Sequence, residues 1–357
     1  MNTHLTDAAT NRRGAAAGLA AAALFGLSTP LAKLLLPGTG PVMLAALLYL
    51  GAGTGLALAT AIRRRRGGAE QREAPVRVAD ARLLAGVILC GGVLGPVLML
   101  SGLARISATV AALLLNLETP FTMLLAVFLF GEHLGQRGRS GAALIVVGAL
   151  VLTYRPGDLH GDVLGLLAIT AACLSWALDN NLTQRLSLRD PVTIVCIKAL
   201  AAGCFNLGLS MALGAPLPPP AVGLAALTIG FVCYGVSIVL DVHALRLIGA
   251  AREAAFFATA PFVGAVAAVA LLAEPLGVIE AVAAAVMVAG VALLLRERHG
   301  HLHTHEALEH DHVHAHDAHH QHAHSGPADA PHAHPHWHPS LTHDHPHVSD
   351  LHHRHRH

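Results

Sequence analysis

The chain has 357 residues, 54% of them hydrophobic and 13% charged, and its last 59 residues hold 23 of the 27 histidines. The net charge of +1 is the sum of a body at +6 and a tail at −5. A soluble domain is roughly 25% charged, so this body excludes an ordinary cytosolic enzyme and indicates a polytopic membrane protein with a disordered extension.

A spanning helix takes about 20 mainly apolar residues. Ten such stretches follow one another, at 14–36, 41–62, 83–104, 107–130, 138–154, 161–184, 190–213, 221–244, 251–272 and 277–295. Arg12 and Arg13 precede the first Ala/Leu run as in a signal peptide, but the run continues too far for one. With only 4% aromatic residues, interfacial belts should be sparse. Seventeen arginines, including Arg63 to Arg66, fall in one set of loops and ends, and only Arg105 and Arg155 in the other. The positive-inside rule then places the N-terminus, the 63–82 loop and the tail in the cytoplasm, with a bacterial inner membrane as the expected location. Cys90, Cys173, Cys196, Cys204 and Cys233 all fall inside apolar spans without a CxxC pair and read as small hydrophobes.

Sliding residues 103–152 by 142 positions lays Leu103, Ile106 and Ala108 on Leu245, Ile248 and Ala250 without a gap. It also lays Glu132, Leu134 and Gly135 on Glu274, Leu276 and Gly277, and Gly148 on Gly290. Nearer the start, Phe25 to Lys33 lines up with Trp176 to Gln184, and Pro41-Val42 with Pro191-Val192. The expected fold is therefore all-α: ten transmembrane helices as two five-helix repeats, 14–154 and 161–295, between a cytoplasmic N-terminus (1–13) and a cytoplasmic tail (296–357). An odd number of spans per repeat inserts the copies with opposite orientation, the inverted-repeat architecture of secondary transporters.

Those residues carry a family resemblance. The small-residue first spans, Leu24-Phe25-Gly26 through Lys33 and Ser175-Trp176-Ala177 through Arg185, resemble the EamA branch of the drug/metabolite transporter superfamily. So do Asn116-Leu117-Glu118-Thr119-Pro120-Phe121 to Glu132, Ala258-Thr259-Ala260-Pro261-Phe262 to Glu274, and the stretch Asp179-Asn180-Asn181-Leu182-Thr183 followed by Asp190-Pro191. The resemblance implies a ten-helix permease, not an enzyme, moving small metabolites, amino acids or drugs, often outward and by proton or substrate exchange. The tail is a departure from that pattern.

Ionisable groups within spans are candidates for function, because each is costly at the bilayer centre. Glu118 lies mid-span beside Asn116 and next to Thr119-Pro120, where proline opens the helical hydrogen bonding; it is the candidate for proton exchange, the alternative being structural pairing with Asn116, a backbone group or a cation on a facing helix. Lys198 sits two turns inside the seventh span and is expected either to neutralise Asp179 or Glu118 or to bind an anionic group. Asp179, Asn180 and Asn181 occupy the depth at which the first half has Ser28, Thr29 and Pro30, so they form either a gate or an ordinary polar helix end. Asp241 and His243 are two residues apart, about 200° around a helix, and cannot jointly face one ligand. They read as an interfacial pair, or alternatively as a relay or metal waypoint. Glu132 and Glu274 read as helix-end capping groups, and Lys33 as a snorkelling side chain near the outer end of the first span.

In the tail, histidines alternate at His301, His303 and His305, at His310, His312, His314 and His316, at His332, His334, His336 and His338, and at His343, His345 and His347. Imidazole nitrogens suit Zn, Ni, Co and Cu, so the segment is expected to bind divalent metal without a fixed geometry; the alternative is a solvated, pH-responsive tail. No cofactor is required. The expected partners are the bilayer, a small-molecule substrate and divalent metal ions, with no nucleic acid and with a homodimer left open. Three functions are in play: a metabolite or drug exporter with a metal-binding tail, a Ni, Co or Zn exporter fed by that tail, and a membrane-anchored metal buffer. The absence of His/Asp pairs one turn apart within spans favours the first over the second.

Overall fold

Backbone polar groups cannot stay open inside a bilayer, which leaves helices as the form for long apolar runs. The computed structural model describes residues 3–65, 75–130, 134–153, 162–186, 189–248, 250–296, 299–305, 308–314, 332–338 and 341–347. Glu132 and His316 lie outside these residues.

The body is all-helical. In chain order it contains α1 (Thr3–Leu35), α2 (Pro41–Arg65), α3 (Ala81–Val87), a π-helical segment Ile88–Leu94, α4 (Gly95–Leu103), α5 (Ala108–Leu114), α6 (Glu118–Phe130) and α7 (Gln136–Thr153). The second half has α8 (Val163–Gln184), α9 (Pro191–Ala212), α10 (Pro220–Ile229), a π-helical segment Gly230–Val236, α11 (Ser237–Ile248), α12 (Ala250–Phe257), α13 (Ala260–Leu272) and α14 (Val278–Leu295). Starts follow local chemistry. Asp190 accepts from the backbone N–H of Val192 at 3.0 Å just before Pro191, and Asp162 accepts from that of Gly165 at 2.9 Å, each occupying an otherwise unpaired donor of a first turn. The Nε of Arg105 donates to Asp162 at 2.8 Å, which holds that carboxyl below the usual carboxylate range.

Among the described residues, eight helices are long and apolar enough to cross a membrane. The other two expected spans take a different form. Of the span expected at 138–154, residues 138–153 fall in α7, whose first turn carries Arg137 and Arg139. Residues 251–272 are split at Ala258-Thr259 into α12 and the short apolar α13. The fourth span is interrupted at the corresponding place, by a 3-10 turn at Leu115–Leu117 between α5 and α6. Proline follows both breaks, and its missing N–H removes the bond that would carry the helix through.

The 142-residue offset recurs in three dimensions. It carries the first π-helical segment, 88–94, onto the second, 230–236. It also exchanges contacts. A Cβ on Gly141 would lie 2.7 Å from the Gly290 carbonyl oxygen, and one on Gly148 would lie 3.0 Å from that of Ala283, where 283 and 290 are 141 and 148 moved by the offset. Such close backbone approach is how membrane helices pack without a hydrophobic driving force.

One end of the body is tied across the halves. Glu274 accepts from the backbone N–H of Ala108 at 2.7 Å and of Thr109 at 2.8 Å, and from the Thr109 hydroxyl at 2.7 Å, so it caps α5 from the other half of the chain. Lys33 donates to the carbonyls of Leu103 at 2.5 Å and Ile106 at 2.7 Å, closing the end of α4. Glu274→Ala is expected to cost about 1–2 kcal/mol, the range for losing a helix cap, read as a lowered Tm in detergent; an unchanged Tm would show that the cap carries no stability.

In the tail the structure describes four short segments of backbone. Its backbone pairs antiparallel, β1 (His299–His305) with β4 (Leu341–His347) and β2 (Leu308–His314) with β3 (His332–His338). The register sets His301 and His303 opposite His345 and His343, and His310, His312 and His314 opposite His336, His334 and His332. Alternation with a period of two is the β repeat, so the spacing read as flexible chelation also suits strands.

Candidate functional site

The polar groups of the body gather where both halves meet. Helix α6 begins at Glu118, directly after the 3-10 turn, and its Oε1 accepts from the Asn180 side-chain amide of α8 at 2.7 Å. One residue earlier on α8, Asp179 forms an ion pair with Lys198 of α9 and also accepts from the Thr183 hydroxyl at 3.3 Å. Asp179 is buried at 5% exposure, and Lys198 reaches it past the first π-helical segment. Glycine is required there: a Cβ on Gly91 would sit 2.0 Å from Asp179 Oδ2 and 2.5 Å from Lys198 Nζ.

The wide turn has a second role. A π-helical stretch departs from the regular α-helical ladder, and side chains from three other helices bond its carbonyls. Ser175 donates to the Cys90 carbonyl at 2.9 Å, Tyr49 and Trp176 to that of Gly91 at 2.7 and 3.1 Å, and Asn206 to that of Gly92 at 3.2 Å. Tyr49 in turn lies 5.9 Å from Tyr234 between ring centroids, Tyr234 5.8 Å from Phe25 edge to face, and Phe25 5.3 Å from Phe257. The Tyr234 hydroxyl engages Ser28. Glu118 and Asp179 are within electrostatic reach of Tyr49. Two carboxyl groups and one ammonium thus lie beside an aromatic set, and the Glu118 carboxyl is the one whose partner is uncharged.

The sequence candidates divide around this centre. Glu118, Asp179, Asn180 and Lys198 come together, and Lys198 takes Asp179 rather than Glu118 as its ion-pair partner. Asn116 turns away from Glu118, donating to the Leu113 carbonyl at 2.9 Å and approaching the Met287 sulfur at 3.8 Å. Asn181 ties α8 to α6 by donating to the Thr122 carbonyl at 3.1 Å. Asp241 hydrogen-bonds Glu253, not His243, and His243 is exposed. Among the described residues, no three His, Cys, Asp or Glu side chains converge as metal ligands; the positions of the tail imidazoles lie outside what the structure describes.

Sequence reading missed Phe25, Tyr49, Trp176, Tyr234 and Gly91. A usable signal was present: in a chain with three tyrosines and two tryptophans, two of the former and one of the latter lie well inside apolar spans.

Comparison with known proteins agrees with this architecture. An uncharacterized transporter of Methanothermobacter thermautotrophicus is 31% identical over 298 residues, covering 77% of this chain and 84% of that protein. A probable amino-acid metabolite efflux pump of Salmonella typhimurium is 33% identical over 85 residues, 24% of this chain and 28% of the pump. A protein solved by crystallography has the same fold at a TM-score of 0.52 and 22% identity, covering 76% of this chain and 95% of that one. Residues 12–154 and 163–296 each match the EamA-like transporter family, so the chain belongs to that family and is a multi-pass membrane transporter of small molecules rather than an enzyme.

Proposed function

We propose that the protein is a ten-helix secondary transporter built from two five-span halves of opposite orientation, which exports a small metabolite or drug across the bacterial inner membrane. Both termini face the cytoplasm, and the tail binds a divalent metal, Zn, Ni or Co. The observation that carries this reading is the charged, aromatic-walled site that both halves build around Glu118, Asp179 and Lys198. The contacts that exchange under the 142-residue offset support paired repeats, and an odd number of spans in each then gives opposite orientation. The relative named for amino-acid metabolites supports an organic cargo over the matched quarter of the chain. Asp241 of α11, with Glu253 of α12, is a second candidate for coupling, whereas Asn181 holds α6 on α8 and Asn116 secures the turn before α6.

A second reading, export of Ni, Co or Zn, is favoured by the backbone register that pairs histidine positions across the tail strands. Cells carrying full-length protein, protein lacking residues 299–357, or none separate the two. Metabolite export predicts equal cellular metal in all three, accumulation of an organic compound only where the protein is absent, and loss of Zn or Ni from purified tail-deleted protein. Metal that accumulates in cells without the protein would instead establish the metal exporter. Unchanged Zn and Ni in the tail-deleted protein would remove metal binding from the tail.

A further inference from the structure

The Glu118 carboxyl, left without a cationic partner at the centre, points to a substrate class, an inference that rests on the transporter reading. Asp179 is matched by Lys198 and by the Thr183 hydroxyl. Among the described residues, the hydrogen-bond partner of the Glu118 carboxylate is the uncharged amide of Asn180. A carboxylate without a cation is a costly state inside a membrane protein, and a proton or a cationic ligand relieves it.

The surroundings favour one kind of cation. Phe25, Tyr49 and Tyr234 lie 5.8 to 5.9 Å apart in sequence of contact, and Trp176 joins Tyr49 on the Gly91 carbonyl. Aromatic faces attract a cation within about 6 Å and pack against an apolar body at the same time. A divalent metal would need several hard or imidazole ligands, and no three such side chains converge among the described residues. An anion would meet Glu118, while the nearby ammonium is already engaged by Asp179.

We propose that this site takes organic monocations, amines with an apolar or aromatic body and no carboxylate, with the ammonium on Glu118 and the body against Tyr49, Tyr234 and Phe25. Three probes of one shape and different charge test this: phenethylamine, phenylacetate and phenylalanine. Each is titrated against the full chain in lipid nanodiscs, with the fluorescence of Trp176 as the readout in a Trp337→Phe background. Phenethylamine is expected to bind at least about tenfold more tightly than the other two, and Glu118→Gln to weaken it by a similar factor. Equal or tighter binding of phenylacetate or phenylalanine, or no binding of any probe, overturns the substrate class; the probe comparison needs only unaltered Glu118, so it stands even if the variant misfolds. Flux of phenethylamine in proteoliposomes is scored separately. Selective binding without flux would defeat the transporter reading and leave the site intact.

Discussion

Glu118→Gln is expected to slow transport into proteoliposomes by at least about tenfold, equivalent to about 1.4 kcal/mol of barrier, and to flatten its dependence on an imposed pH gradient. Glutamine has nearly the shape of glutamate and keeps a carbonyl oxygen for the Asn180 amide, now accepted at 2.7 Å. The packing of α6 on α8, which Asn181 also secures through the Thr122 carbonyl, should therefore survive. What disappears is the ionisable carboxyl left without a cation once Asp179 and Lys198 have paired. A coupling group must alternate between a proton and another cation, and an amide does neither. If Glu118→Gln transports at the original rate with the original pH response, Glu118 is a structural hydrogen-bond acceptor, and coupling has to be sought at Asp241 and Glu253.

The second large effect is expected at Lys198. Removing one partner of a buried ion pair costs about 3–5 kcal/mol, because the other charge stays behind. The 19% exposure of the Lys198 side chain puts Lys198→Met at the lower end of that range. Thermal unfolding in detergent should show the loss as a lowered Tm. The double variant Lys198→Met/Asp179→Asn removes both charges and should recover most of it, since two neutral side chains carry no unpaired charge. A double variant as unstable as the single would mean that the lysine stem packing beside the first π-helical segment, not its charge, holds the site. Transport separates the roles further. Recovery of Tm without recovery of flux assigns the pair to the substrate pathway, and recovery of both assigns it to the scaffold.

Much of this architecture could be read from residue order. The apolar runs give most helices, and the Glu-x-Leu-Gly copies at Glu132 and Glu274 give the offset that the paired π-helical segments later obey. Capping by Glu274 also follows from its place just beyond a span. The site was legible only in part, because a linear sequence states which residues are costly in a bilayer but not which helices face one another. Lys198 had two acidic candidates; Asp179 wins because Gly91 leaves room for the contact. The aromatic walls were hidden for a related reason. Phe25, Tyr49, Trp176 and Tyr234 sit on separate elements, and a single aromatic residue in an apolar span looks like bulk hydrophobe. In the tail, alternation of histidines served two readings with the same period. In the ninth expected span, Pro261 looked like its counterpart Pro120, and both mark interruptions that an apolar count passes over.

The π-helical segments also make the body sensitive to chain length. An α-helix turns about 100° per residue, and a π-bulge accommodates one residue that the regular ladder would not. Whatever lies downstream of Ile88–Leu94 therefore keeps its facing only while that segment keeps its length. Met99, Leu100 and Leu103 of α4 are all buried. Loss of a single residue between 88 and 94 would swing that face by more than a quarter turn and remove the carbonyls now held by Tyr49, Trp176 and Asn206. A substitution at Gly91 acts locally, against Asp179 and Lys198, whereas a one-residue deletion re-aims an entire span.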